Sequence, residues 1–214
     1  MKILASIIVV SCVAVSSLQA QLTVFTDRSD WENALGGLIV VTEDFNSIDP
    51  FEFADGQTLV TSNLSVTRDG SMNGGDGFLA IADGSEFGNL DGTNFLDGET
   101  GASPHEVVSF DFLGRSAFAF GADFFSPFSG DGIALSVAGE IVLLDSIAGF
   151  DSGFVGVISD SAFTTVDIIG NPEKLTFQEL WSADNVSYAI PEPSSAVWLT
   201  SLFAAIAIRR RNRC

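Results

Sequence analysis

The chain has 214 residues, of which 46% are apolar and 19 are phenylalanine, so it can bury a large core and is not an intrinsically disordered chain. Of its 28 acidic residues, 27 lie between residues 21 and 190, together with only four of its nine basic residues. A surface so acidic repels phosphates, which excludes nucleic acid as a partner, and it favours cations or neutral molecules.

The first 20 residues have the pattern of a secretory signal peptide. Lys2 gives the positively charged start, an apolar run covers 3–15, and small or polar residues at 16–20 predict cleavage after Ala20. The alternative is a lipoprotein signal with Cys12 as the modified residue. The apolar run continues past Cys12, which favours the ordinary signal peptide and an exported domain that begins at residue 21.

A short helix is predicted at the start of this domain. Ser29 and Glu32 have the spacing of a capping box, with Ser29 as the N-cap. Gly36 and Gly37 then predict the end of the helix about two turns later.

Beyond residue 37 the sequence pattern is that of strands, because apolar and β-branched residues alternate over short stretches. The predicted strands are 38–42, 58–67, 107–113, 117–125, 133–137, 140–144, 154–158, 163–168, 174–180 and 185–190. Asp-Gly pairs, which suit tight hairpin turns, begin at residues 55, 69, 76, 83, 91, 97 and 131. The segment 69–98 is rich in glycine, aspartate and asparagine and predicts long loops over one edge.

Short strands separated by turn signals predict an all-β fold. We expect an antiparallel β-sandwich over residues 21–190, jelly-roll-like, with a short N-terminal helix and a C-terminal membrane helix.

Residues 191–214 have three parts in a fixed order. Pro191, Glu192 and Pro193 interrupt regular structure, and residues 196–208 form an apolar segment. A basic cluster follows, made of Arg209, Arg210, Arg211 and Arg213. The apolar helix would be about 20 Å long, shorter than the ~30 Å hydrocarbon core, and the arginines can snorkel to the surface. Basic residues stay on the cytoplasmic side, which places residues 21–190 outside.

This tripartite tail resembles the PEP-CTERM sorting signal of exported proteins in Gram-negative bacteria that make exopolysaccharide. The resemblance covers residues 191–214 and implies recognition by an exosortase, which would cut near the Pro191–Pro193 motif. It implies a transient membrane anchor and, after processing, a location at the cell surface or in the extracellular matrix. The alternative is a C-terminal anchor that is never processed.

The domain offers little for catalysis. His105 is its single histidine, and no Gly-x-Ser-x-Gly element accompanies it, so the sequence does not support a Ser-His-Asp hydrolase. Among 27 acidic residues no carboxylate pair stands out for glycoside hydrolysis. We therefore expect a protein that is not an enzyme, and a secreted hydrolase remains an alternative.

Calcium prefers oxygen ligands, which an acidic domain provides. Glu43 and Asp44 lie near an early strand, and Asp184 and Asn185 near the last one. This arrangement is similar to that of calcium-bound carbohydrate-binding jelly rolls, in which acidic residues of the first and last strands share one structural Ca²⁺. The resemblance implies such an ion at these four residues.

Trp31 and Trp181 are the two tryptophans of the domain and the candidate platforms for stacking on a sugar. The many phenylalanines with period-two spacing are typical of a core instead. We expect a structural or adhesive role associated with exopolysaccharide. The alternative is a carbohydrate-binding module with a defined sugar site.

Overall fold

The computed structural model describes residues 20–54, 56–69, 78–100, 107–126, 132–144, 152–173 and 179–192. Within these ranges the chain forms one helix and fourteen β-strands in two antiparallel sheets. Several predicted features lie outside the described residues: the apolar run 3–15, His105, Pro193, the apolar helix 196–208 and the arginine cluster 209–213.

The helix α1 spans Arg28–Ala34, and its N-cap is Asp27, whose carboxylate accepts a hydrogen bond from the Asp30 amide at 2.9 Å. The predicted N-cap at Ser29 was therefore wrong, because an aspartate two residues earlier caps the helix and Ser29 falls inside the first turn. The predicted end is confirmed, since the chain turns at Gly36 with φ of 65°.

The first sheet contains eight strands. In spatial order they are β1 (Leu22–Phe25), β12 (Ser152–Phe163), β9 (Ala117–Phe125), β14 (Glu179–Ile190), β7 (Phe95–Thr100), β6 (Leu79–Ala82) and β3 (Phe51–Glu52), with β2 (Ile39–Glu43) also paired to β14. The long strand β14 therefore has β9 on one side, and on the other side first β7 and then β2.

The second sheet contains six strands. In spatial order they are β11 (Glu140–Leu143), β10 (Ile133–Val137), β13 (Thr165–Gly170), β8 (Val107–Asp111), β5 (Ser65–Arg68) and β4 (Thr58–Val60). All pairings in both sheets are antiparallel, so the predicted all-β sandwich is confirmed.

The core lies between the two sheets and is largely aromatic, as the alternating phenylalanines predicted. Phe112, which follows β8, stacks on Tyr188 of β14 with ring centroids 4.3 Å apart, and on its other side lies near Phe120 of β9. A second, smaller cluster lies under α1, where Trp31 packs on Phe154 at 5.4 Å. The helix therefore covers part of the outer face of the first sheet.

The glycine- and aspartate-rich segment 69–98 is only partly loop, contrary to expectation. It contains β6 and the start of β7, which lie well inside the first sheet, and the predicted Asp97-Gly98 turn is in the middle of β7. Gly98 faces Trp181 across the strands, and the indole fills the space that a side chain at residue 98 would need. The glycine is therefore explained by close packing within the sheet.

The Tyr188 hydroxyl joins two segments that are far apart in sequence. Arg115 Nη1 donates to it at 2.6 Å, and the hydroxyl donates to the Asn63 carbonyl at 2.6 Å. We expect Tyr188→Phe to lower the free energy of unfolding by about 1–2 kcal/mol, because both partners lose a hydrogen bond while the ring stack is kept. Urea unfolding measures this loss, and an unchanged midpoint would show that water replaces the hydroxyl without cost.

Candidate functional site

A groove crosses the outer face of the first sheet, and we call it the outer-face groove. Its floor is one row of cross-strand neighbours on five adjacent strands, in the order Phe125, Ser182, Asp97, Ala80 and Glu52. Side chains alternate between the faces of a strand, and the adjacent residues Leu96 and Ala183 point into the core. The row therefore faces away from the second sheet.

The groove consists of two connected cavities of about 470 and 290 Å³ that share Phe78, Glu86 and Asp97 in their linings. Phe87 lines the smaller cavity, with 71% of its surface exposed. Its ring packs edge-to-face with the ring of Phe125, and the two ring centroids are 5.3 Å apart. An exposed aromatic ring beside carboxylates and a hydroxyl is a combination that can hold a polar ligand with an apolar face.

Asp97 lies in the middle of the groove floor. Ser182 Oγ donates to its carboxylate at 3.3 Å. Burial is the main cause that raises the pKa of Asp97 to about 6, with a smaller contribution from the negative charge of Glu86, while the hydrogen bond from Ser182 acts in the opposite direction. A cation bound in the groove would therefore be favourable, because it would compensate the charge that burial and Glu86 disfavour.

A tight loop between β6 and β7 holds Glu86 and Phe87 over the groove. The loop closes through Asn89, whose side chain accepts from the Gly92 amide and donates to the Thr93 carbonyl. Gly84 allows the two arms of the loop to meet, because any side chain there would collide with the backbone of Gly92. The loop is thus fixed by its own contacts, and it orients the exposed ring.

Asp184 and Asn185, two of the predicted calcium ligands, lie where β14 changes partner from β7 to β2. Asn185 has a left-handed φ of 50°, which produces the break. Asp184 is 1% exposed, and its carboxylate accepts from the Asn185 amide at 2.6 Å and from Thr93 Oγ1 at 3.4 Å. The pKa of Asp184 is raised to about 7, chiefly by burial and to a smaller degree by the nearby charges of Asp91 and Asp123.

Glu43 and Asp44, the other two predicted ligands, use their carboxylates locally. Glu43 is buried at the end of β2 opposite Val186 and accepts from the Phe45 amide at 3.2 Å. Asp44 is exposed and accepts from the Asn46 amide at 3.1 Å. Over the described ranges no three His, Cys, Asp or Glu side chains converge closely enough to hold a metal ion. A Ca²⁺ ion at these four residues stays a prediction.

Arg28 is the residue near Asp184 that sequence analysis did not single out. Its guanidinium pairs with the Asp123 carboxylate at 3.1 Å, donates to the Asn185 carbonyl at 3.1 Å, and lies 4.5 Å from the Phe154 ring centre. It fastens α1 to β9 and β14. A lone arginine at the start of a helix gives no signal of such long-range partners.

Neither predicted sugar platform is exposed, which corrects the expectation for Trp31 and Trp181. Trp31 is 0% exposed under α1 and donates from Nε1 to the Val157 carbonyl at 3.2 Å. Trp181 is 1% exposed beside the outer-face groove, and its Nε1 has no hydrogen-bond partner in the part of the chain that the structure covers. Both tryptophans lie in the core, where the large apolar surface of the indole is removed from water. Among the described residues the exposed aromatic side chain is Phe87, which lies in the segment 69–98 that was predicted to form long loops.

No protein-family model matches the chain, and no curated protein is similar enough to count as a relative. Among the described residues no helix is both long enough and apolar enough to cross a membrane.

Proposed function

We propose that this chain is an exported, non-catalytic β-sandwich of jelly-roll-like topology, sorted by an exosortase to the cell surface or extracellular matrix. There it would associate with exopolysaccharide through the outer-face groove. The observation that carries the proposal is a groove with an exposed phenylalanine and carboxylates, in a chain whose two ends read as export and sorting signals.

The position of the groove supports a saccharide as ligand. It crosses a sheet face, where the backbone groups of β7 are paired with β6 and β14. On this central strand of the floor, side chains are therefore the groups available to a ligand. Phe87 can cover the apolar face of a sugar ring, while Asp97 and Glu86 can accept from its hydroxyls.

A secreted hydrolase is the second candidate, and the raised pKa of Asp97 beside Glu86 favours it, because glycosidases use one protonated and one ionised carboxyl. It predicts new reducing ends when the protein is incubated with a bound polysaccharide. Binding without any such product would support the non-catalytic role.

The sorting proposal is tested at the Pro191–Pro193 motif. Strand β14 ends at Ile190, and Pro191 and Glu192 are exposed, so a protease can reach the start of the tail. We expect replacement of Pro191, Glu192 and Pro193 by alanine to abolish processing in a host that carries an exosortase. Intact mass and fractionation would then show an uncut chain in the membrane.

The matched control is Pro172→Ala, an exposed proline in a turn of the domain, which should be processed normally. A triple variant that is cut and reaches the matrix like the unchanged chain would refute the assignment of the motif.

A further inference from the structure

We infer that the outer-face groove binds an amino-sugar polymer whose rings carry positively charged ammonium groups. This inference rests on the proposed function, because it specifies the class of saccharide that the groove takes.

The negative charge of the groove favours a positively charged sugar over an acidic or a neutral one. The described lining contains three carboxylates, Glu52, Glu86 and Asp97, and no lysine, arginine or histidine. The arginines of the described chain are used elsewhere: Arg28 pairs with Asp123, Arg68 donates to the Phe53 carbonyl, and Arg115 donates to Tyr188. A polymer of acidic sugars is therefore repelled, a neutral one gains nothing from the charge, and an ammonium-bearing one is attracted.

The exposed ring of Phe87 also favours an amino sugar. Phe87 presents an exposed ring in the same cavity lining as Glu86 and Asp97. The face of an aromatic ring attracts an ammonium group, and it also covers the apolar C–H face of a sugar. An amino sugar carries both groups on one ring.

The size of the groove requires an oligomer. Its floor crosses five adjacent strands from Glu52 on β3 to Phe125 on β9. At about 4.8 Å per strand spacing the whole row is roughly 19 Å long. Gly88 lies against Ser182, which is 1% exposed, so the stretch of floor open to a ligand runs from Glu52 to Asp97. That stretch is roughly 10 Å long and continues into the cavity beside Phe87, which is more than one sugar ring can span. A basic peptide of that length would bring backbone amides and carbonyls that find no free backbone partner on β14, β7 and β6, because each of these strands is paired on both sides.

The test is isothermal titration of the chain recovered after export, near neutral pH and low salt, with two chitotetraoses. One carries free amines and the other is fully N-acetylated, so they share a backbone and differ in charge. We expect the free-amine tetramer to bind about tenfold more tightly, and added salt to remove most of the difference.

Variants locate the binding. We expect Asp97→Asn and Glu86→Gln each to weaken binding of the free-amine tetramer roughly threefold to tenfold, with little change for the acetylated one. Phe87→Ala should weaken binding of both tetramers. Because Phe87 is largely exposed, we expect this variant to fold normally. The matched control is Asp167→Asn, because Asp167 also accepts from a neighbouring serine, Ser109, but in the second sheet.

Three outcomes would overturn the inference. Equal affinity for the two tetramers would exclude recognition of the ammonium group and leave the proposed function standing. If a tetralysine peptide binds as tightly as the free-amine tetramer, and the same variants lose that binding, the ligand is a basic peptide and not a saccharide. No binding of either tetramer by a chain that is sorted normally would remove the amino sugar as ligand, while the sorting experiment above judges the proposed export independently.

Discussion

Asp184→Asn is expected to raise the free energy of unfolding near pH 8 by about 2–4 kcal/mol. The folded protein holds the pKa of this carboxyl at about 7, chiefly through burial, whereas an unfolded chain has an aspartate pKa of about 3.9. The stability that the protonated form contributes is therefore complete below about pH 4 and is lost as the pH rises through about 7. Asparagine keeps the acceptor for the Asn185 amide and cannot ionise, so urea unfolding of the variant should show a smaller fall in stability over this range.

Asp44→Asn is the matched control, because Asp44 is exposed and makes the same kind of local hydrogen bond. It should leave the pH profile unchanged. Identical profiles for Asp184→Asn and the unchanged chain would mean that burial does not raise the pKa of this carboxyl in the folded protein.

The same measurement with millimolar Ca²⁺ in place of EDTA tests the predicted ion. If Ca²⁺ binds at Asp184, the unchanged chain gains stability, about 2.7 kcal/mol at a hundredfold excess over Kd. With Ca²⁺ present, Asp184→Asn would then lower the free energy of unfolding and no longer raise it, because asparagine does not provide the carboxylate ligand. No shift with Ca²⁺ would rule out a calcium site at Glu43, Asp44, Asp184 and Asn185.

Gly98→Ala is expected to lower the free energy of unfolding by about 2–3 kcal/mol. A methyl group at residue 98 would lie 2.6 Å from the indole of Trp181, which is 1% exposed and packed in the core. Gly37→Ala is the matched control, because the space around Gly37 is open. Urea unfolding of both variants gives the comparison, and equal losses would contradict the packing argument.

A double-mutant cycle with Trp181→Phe makes the test specific. The smaller ring relieves the collision, so the double variant should lose less stability than the sum of the two single losses. Trp181→Phe also removes a buried N–H that has no partner in the described part of the chain, so it should cost less than Trp31→Phe, which breaks the bond to Val157. Additive losses would show that Gly98 and Trp181 do not interact.

Strands in which apolar and polar residues alternate regularly could be predicted from the sequence. A strand with a glycine that is required by a residue far away in the sequence could not. Ala117–Phe125 and Ile133–Val137 were predicted with the observed ends, because each alternates between two sheet faces over its whole length. Strand β7 was missed because Asp97 and Gly98 have the local pattern of a turn. The reason for that glycine is Trp181, more than eighty residues later, and a local pattern contains no trace of it.

The candidate site was predictable only in part for the same reason. Sequence analysis singled out Asp184 and Asn185, yet the burial of Asp184 and its proximity to Asp91 and Asp123 depend on three separate strands and loops. The outer-face groove was not foreseen, since its floor is a row of residues that only the strand order brings together. An exposed Phe87 in a polar loop was its one local signal.

The position of β14 in the middle of the first sheet determines when the domain can finish folding. Residues 179–190 supply the shared partner of β9, β7 and β2, so those strands have no common neighbour until the last part of the domain is present. A chain that crosses a membrane with its N-terminus first therefore completes its sheet only after residue 190 has emerged. Most of its pairings join distant parts of the sequence, which slows closure. If the chain is exported as proposed, its first sheet therefore lacks a central strand until residues 179–190 have arrived, and the tail follows directly behind the strand that completes the sheet.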